Sequence, residues 1–96
     1  MNFSFHPEAE EKFNKAIDYY EDIESGLGYD FASEVYSAIR LSAEFPKAWM
    51  VLEGEVRRCL VRRFPYGILY SEEGNRIFIL AAMNLHRQPT YWKHRK

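Results

Sequence analysis

Three observations predict an α+β domain: a short polar-aromatic alternation at Asn2–Phe5, two apolar stripes of helical period between Pro7 and Pro46, and a run of short apolar segments separated by turn residues after Trp49. The arrangement expected is an N-terminal strand and an antiparallel helical hairpin packed on a twisted antiparallel β-sheet, ending in a short C-terminal helix or tail. The chain has 96 residues, 47% of them hydrophobic, which suffices for one core and not two. Residues 1–96 therefore read as a single domain.

Asn2–Phe5 fits a short first strand, and His6-Pro7 breaks it with a proline suited to a first helical turn. In the following segment Ala9, Phe13, Ala16, Ile17, Tyr20 and Ile23 recur at helical spacing, while acidic residues occupy the other faces. Gly26-Leu27-Gly28 is a turn; it lacks the spacing and the preceding strand of a phosphate-cradling loop. Asp30 is the expected N-cap of a second helix, which carries Phe31, Val35, Ile39 and Phe45 and is closed by Pro46. So short a connection makes the two helices an antiparallel pair whose shared apolar face needs a cover.

Trp49–Glu53, Val56–Phe64, Gly67–Ser71 and Arg76–Met83 supply that cover as an antiparallel meander, with turns at Gly54 and at Glu72–Asn75 and an interruption at Pro65. Ile77–Ala82 is apolar without alternation, as in a central strand covered on both faces. Phe13, Ile17, Val35, Ile39, Phe78 and Leu80 are expected to share one core. Thr90–Arg95 reads as one terminal helical turn or an ordered tail.

The longest apolar run, Ile77–Met83, falls far short of the roughly 20 residues of a membrane helix. Met1–His6 lacks the features of a secretory signal, so the expected location is cytoplasmic, with no membrane partner. The lone Cys59 forms no intramolecular disulfide and reads as a small buried apolar group. His6, His86 and His94 lack ligand spacing, so neither a metal site nor a cofactor is expected.

The net charge of −1 hides two opposite halves: three basic against ten acidic residues up to Pro46, and ten basic against four acidic from Lys47 onward. The balances are −7 and +6. Either the basic half attracts phosphate or an acidic protein segment, or it is a solvated face matched by the acidic helices. Arg57, Arg58, Arg62 and Arg63 fall on both faces of a predicted strand, so they cannot all be buried. One pair is solvent-facing, and the other belongs at an edge or groove where it can grip carboxylate or phosphate. Arg87, Tyr91, Trp92, Lys93 and Arg95 interleave bases with aromatics, which suits stacking on nucleobases, anchoring an interface or pinning the C-terminus. His86 is a candidate proton carrier without a visible partner.

Arg57-Arg58, the run Arg62–Tyr70 and the run Asn84–Trp92 together resemble the RelE/ParE toxins of bacterial type II toxin-antitoxin systems, the plasmid-stabilisation type. The likeness covers nearly the whole chain, including Tyr19-Tyr20 and Phe45-Pro46. It implies a helical hairpin on an antiparallel sheet, a cognate antitoxin that wraps the basic surface, and contact with operator DNA only through that antitoxin. Family members either cleave mRNA at the ribosome or inhibit DNA gyrase. The nuclease alternative would use Arg62, Arg87 and Tyr91 as catalytic residues, with His86 as a further candidate. The lysine-rich approach of nuclease members is replaced here by Ala48–Glu55, and Asn84 and His86 stand where many relatives have histidine and arginine. These departures lean the expectation towards a gyrase inhibitor that binds its target or antitoxin through Arg57, Arg58, Arg62, Arg63, Arg87, Tyr91, Trp92, Lys93 and Arg95. The third alternative is a decayed, non-toxic binding module.

Overall fold

The computed structural model describes residues 2–86 and 91–95. After strand β1 (Asn2–Phe5), His6 caps helix α1 (Pro7–Ile23): its Nδ1 accepts the Glu8 backbone N–H at 3.1 Å. Pro7 takes the first helical position, where a missing N–H costs nothing. Ala9, Phe13, Ala16, Ile17 and Tyr20 pack inward as expected, but Ile23 is exposed. Ile23 is the last residue of the helix, and periodicity does not reveal where the covering layer stops.

Helix α2 (Leu27–Glu44) begins after Gly26, whose φ of +90° is the left-handed conformation glycine tolerates. Asp30 therefore lies inside the first turn and is not the cap. The capping acceptor comes from the other helix: the Glu21 carboxylate accepts the N–H groups of Gly26 at 2.8 Å and Gly28 at 3.0 Å. Phe45, expected on the buried stripe, is exposed because the backbone has already left the helix there.

Strands β2 (Met50–Glu53), β3 (Val56–Leu60), β4 (Tyr66–Glu73) and β5 (Arg76–Asn84) form the expected antiparallel meander. The sheet order is β1-β5-β4-β3-β2, and β1 pairs with β5 in parallel, so the sheet is mixed. Strand direction was illegible because the alternation of faces is the same in both pairings. The middle strand is β4, with β5 beside it and also interior. Strand β3 stops at Leu60 and does not reach Phe64; Arg63 has a φ of +71°, incompatible with an extended ladder.

The predicted single core is divided by the sheet. Phe13, Phe31, Val35 and Ile39 of the helices meet Ile68, Tyr70, Ile77 and Ile79 on one face. Leu80 lies on the other face with Val56, Leu69, Ala81, Met83 and Trp92, and half-buried Phe78 packs against them. Leu69 pairs with Ala81 and Tyr70 with Ile79, which leaves Leu80 as a bulge and sends Leu80 and Ala81 to the same side. A 3-10 turn, Lys93–Arg95, ends the described chain. Among the described residues no helix is long and apolar enough to cross a membrane.

Candidate functional site

The four arginines around β3 separate into different roles. Arg57 is half-buried, and its Nη1 donates to the Trp49 carbonyl at 2.7 Å and the Lys47 carbonyl at 3.3 Å, tying the α2–β2 connection to the sheet. Arg58 pairs with Leu69 and Met50 in register, so it lies on the face away from the helices. Its stem crosses Gly67, where a Cβ would stand 3.1 Å from Cγ and Cδ. Its Nε is buried without a hydrogen-bond partner among the described residues, while Met50, its register partner, and Leu60, two residues on, carry exposed apolar side chains. Arg62 and Arg63 are exposed on the turn after β3, and Arg63 meets Glu34 at 3.5 Å and Asp30 at 3.7 Å.

That turn is held by aromatic packing. Phe64 lies 5.1 Å from Tyr20 and 5.2 Å from Phe31, ring centre to ring centre, and Tyr66 lies 4.8 Å from Phe31. Burial and then the neighbouring Tyr66 push the Tyr20 phenol up from its ordinary value. Burial likewise pushes the Cys59 thiol up, with Ser42 acting against it, so Cys59 is poorly suited to act as a thiolate.

The C-terminal candidates are similarly committed. Arg95 is buried, and its Nη1 donates at 3.0 Å to the carbonyl of Leu80, the bulge residue whose ladder position is disrupted. Its Nε approaches Glu8 at 3.5 Å as an ion pair without hydrogen-bond geometry. His94 meets the same Glu8 carboxylate at 2.8 Å, and Lys93 meets Glu53 at 3.0 Å. Trp92 is buried against the outer sheet face. Tyr91 is half-buried, with Lys12 Nζ 4.8 Å and the Arg95 guanidinium 5.2 Å from its ring centre. His86 is exposed, and its N–H donates to Asn84 Oδ1 at 2.9 Å. Arg87 lies outside the described residues.

A groove of about 390 Å³ that was not read from the sequence lies between α1 and the adjoining ends of β4 and β5. Lys12, Lys15, Ala16 and Tyr19 line it from the helix, and Tyr66, Ala82 and Asn84 from the sheet. Tyr66 and Asn84 are direct partners in the β4–β5 register. Ala16 and Ala82 leave depth where larger side chains would fill it. Lys12 joins the groove to Tyr91 through its contact with that ring. The helix part has a legible signal, since Lys12, Lys15 and Tyr19 fall on one helical flank, but lysines on an acidic helix look like ordinary solvated charge. The sheet part requires the register, which the sequence does not reveal.

Among the described residues no group of three histidine, cysteine, aspartate or glutamate side chains is placed to hold a metal ion. No protein-family model matches the chain, and no curated protein sequence matches it.

Proposed function

We propose that this chain is the toxin of a type II toxin-antitoxin pair of the RelE/ParE kind, neutralised by a cognate antitoxin, and that it acts by binding DNA gyrase. The observation that carries the reading is the packing of Phe64 and Tyr66 against both Tyr20 and Phe31, whose own rings lie 4.8 Å apart. The Phe64-Pro65-Tyr66 segment, one of those that carry the resemblance, is thereby braced on the helical pair, and Arg62 stands exposed on the turn before it. Close by in sequence, Leu60 of β3 is exposed, as is Met50, the register partner of Arg58. An arginine beside exposed apolar side chains is the composition of a protein-binding surface, and an inhibitor needs only complementarity to its target.

One contact favours the nuclease alternative: Lys12 sets a cation over Tyr91, the ring to which the resemblance gives proton transfer or stacking on a base. Purified gyrase and a purified translation system separate the two readings. Inhibition of supercoiling that is lost in Arg62→Ala, with ribosome-bound message intact, is the result expected. Rapid cleavage of ribosome-bound mRNA that is lost in Tyr91→Phe would replace gyrase with the ribosome. Absence of both activities, with no growth defect on induction without an antitoxin, would overturn the toxin reading in favour of a decayed binding module.

A further inference from the structure

We infer that the groove between α1 and the β4–β5 ends is a nucleotide site, taking a phosphate at Lys12 and Lys15 and a base against Tyr19, with Asn84 facing the base edge. Arg62 does not line this groove, although Tyr66 belongs both to it and to the turn that carries Arg62, and the inference does not depend on the gyrase reading. Its volume of about 390 Å³ is in the range of small-molecule pockets. From Lys12 to Tyr19 the helix advances about 10 Å, at 1.5 Å per residue, with Lys15 between them on the same flank. That span matches one nucleotide unit with its phosphates along the lysines and its ring at the tyrosine.

The chemistry of each wall agrees. No acidic side chain is among the described residues lining the groove. The carboxylate beside Lys15 is Glu11 at 3.3 Å, an exposed pair one helical turn apart that a phosphate can displace. Tyr19 is 63% exposed, so its ring offers a face for stacking without unpacking the core. The Oδ1 of Asn84 accepts the His86 N–H, so among the described residues the amide NH2 remains to donate to an acceptor on a base edge. A bare phosphate would leave the aromatic end of the groove unused.

The source of the nucleotide is either a free mononucleotide or a unit of single-stranded RNA, and two probes distinguish them. Isotope-labelled protein is titrated with adenosine monophosphate and, separately, with a short single-stranded oligoadenylate while backbone amide shifts are followed. Shifts should concentrate between Lys12 and Tyr19 and at Tyr66 and Ala82–Asn84. Saturation by the mononucleotide alone identifies the free ligand, and saturation by the oligomer alone identifies the strand. Lys12→Glu with Lys15→Glu should weaken the binding probe by at least about tenfold, and Tyr19→Ala should weaken it without altering its salt dependence. Arg40→Glu with Lys47→Glu makes the same change in net charge elsewhere on the surface and should leave affinity within about twofold. The inference is overturned by the absence of shifts with both probes, by shifts centred on other residues, or by equal losses in the two charge-reversed proteins.

Discussion

Tyr70 is wholly buried and its hydroxyl donates to the Pro46 carbonyl at 2.7 Å, so its ionisation is coupled to folding. Burial pushes the phenol up to about 12 from the ordinary 10.0, with nearby Arg57 opposing the rise. The folded state therefore holds this proton more tightly than the unfolded chain does. The corresponding stabilisation is fully present below pH 10.0 and is lost as pH rises towards about 12. In urea titrations at stepped alkaline pH, Tyr70→Phe should flatten this part of the stability profile. It should also cost about 1 kcal/mol at neutral pH through the lost hydrogen bond. An unchanged alkaline profile in the variant would assign the loss to other groups. At this scale the sequence established that four neighbouring arginines could not all be buried, but not which would be. Arg57 is taken up by the carbonyls of Lys47 and Trp49 and Arg95 by that of Leu80. Those acceptors are presented by a loop and a bulge whose positions depend on the assembled sheet.

The two helices approach closely at Gly28, where α2 starts against α1. A Cβ there would stand 2.6 Å from the Ile17 carbonyl oxygen and 2.9 Å from the Glu21 Cβ, and the first of these is backbone that cannot swing aside. Alanine normally improves a helix by up to about 1 kcal/mol over glycine, whereas a methyl forced into a packed contact typically costs about 1 to 3 kcal/mol. Gly28→Ala should therefore lower the urea midpoint of unfolding, because the clash outweighs the gain in propensity. A raised midpoint would mean that the helices separate at little cost. The elements themselves were largely legible: both helices, the first strand and the four-stranded meander follow from period and turn residues. Their ends were less so. The start of α2 depends on Glu21, whose carboxylate accepts from it across the helical pair, and the end of β3 on the left-handed backbone at Arg63. Neither leaves a local pattern of the kind that Pro7 and Pro46 do.

Across the whole molecule the acidic and basic halves are partly neutralised by folding. Arg63 meets Asp30 and Glu34, and Glu8 meets His94 and Arg95, so some of the charge expected to face a partner is spent internally. Two segments at opposite ends of the chain are joined by that second contact, and it determines how acid acts on the domain. The hydrogen bond from His94 is the main cause holding the Glu8 carboxyl below its ordinary 4.5, reinforced by the charges of His94, Arg95 and His6 and opposed by burial. A depressed carboxyl contributes stability that is present above pH 4.5 and lost as pH falls through its lowered value in the folded protein. Because Glu8 is exposed, the effect is local: protonation releases His94 and Arg95 from α1 before the helix-covered core responds. Trp92 is buried beside that turn, so its emission reports the release, read in a Trp49→Phe background that removes the other tryptophan. Below pH 4.5 the emission should move to longer wavelength while helical circular dichroism is still intact. Glu8→Gln should abolish this acid step while leaving unfolding of the core at lower pH in place. Superimposable acid curves for the two proteins would show that the C-terminal turn is held without help from Glu8, by the Leu80 carbonyl on Arg95, the Lys93–Glu53 pair and the packing of Trp92.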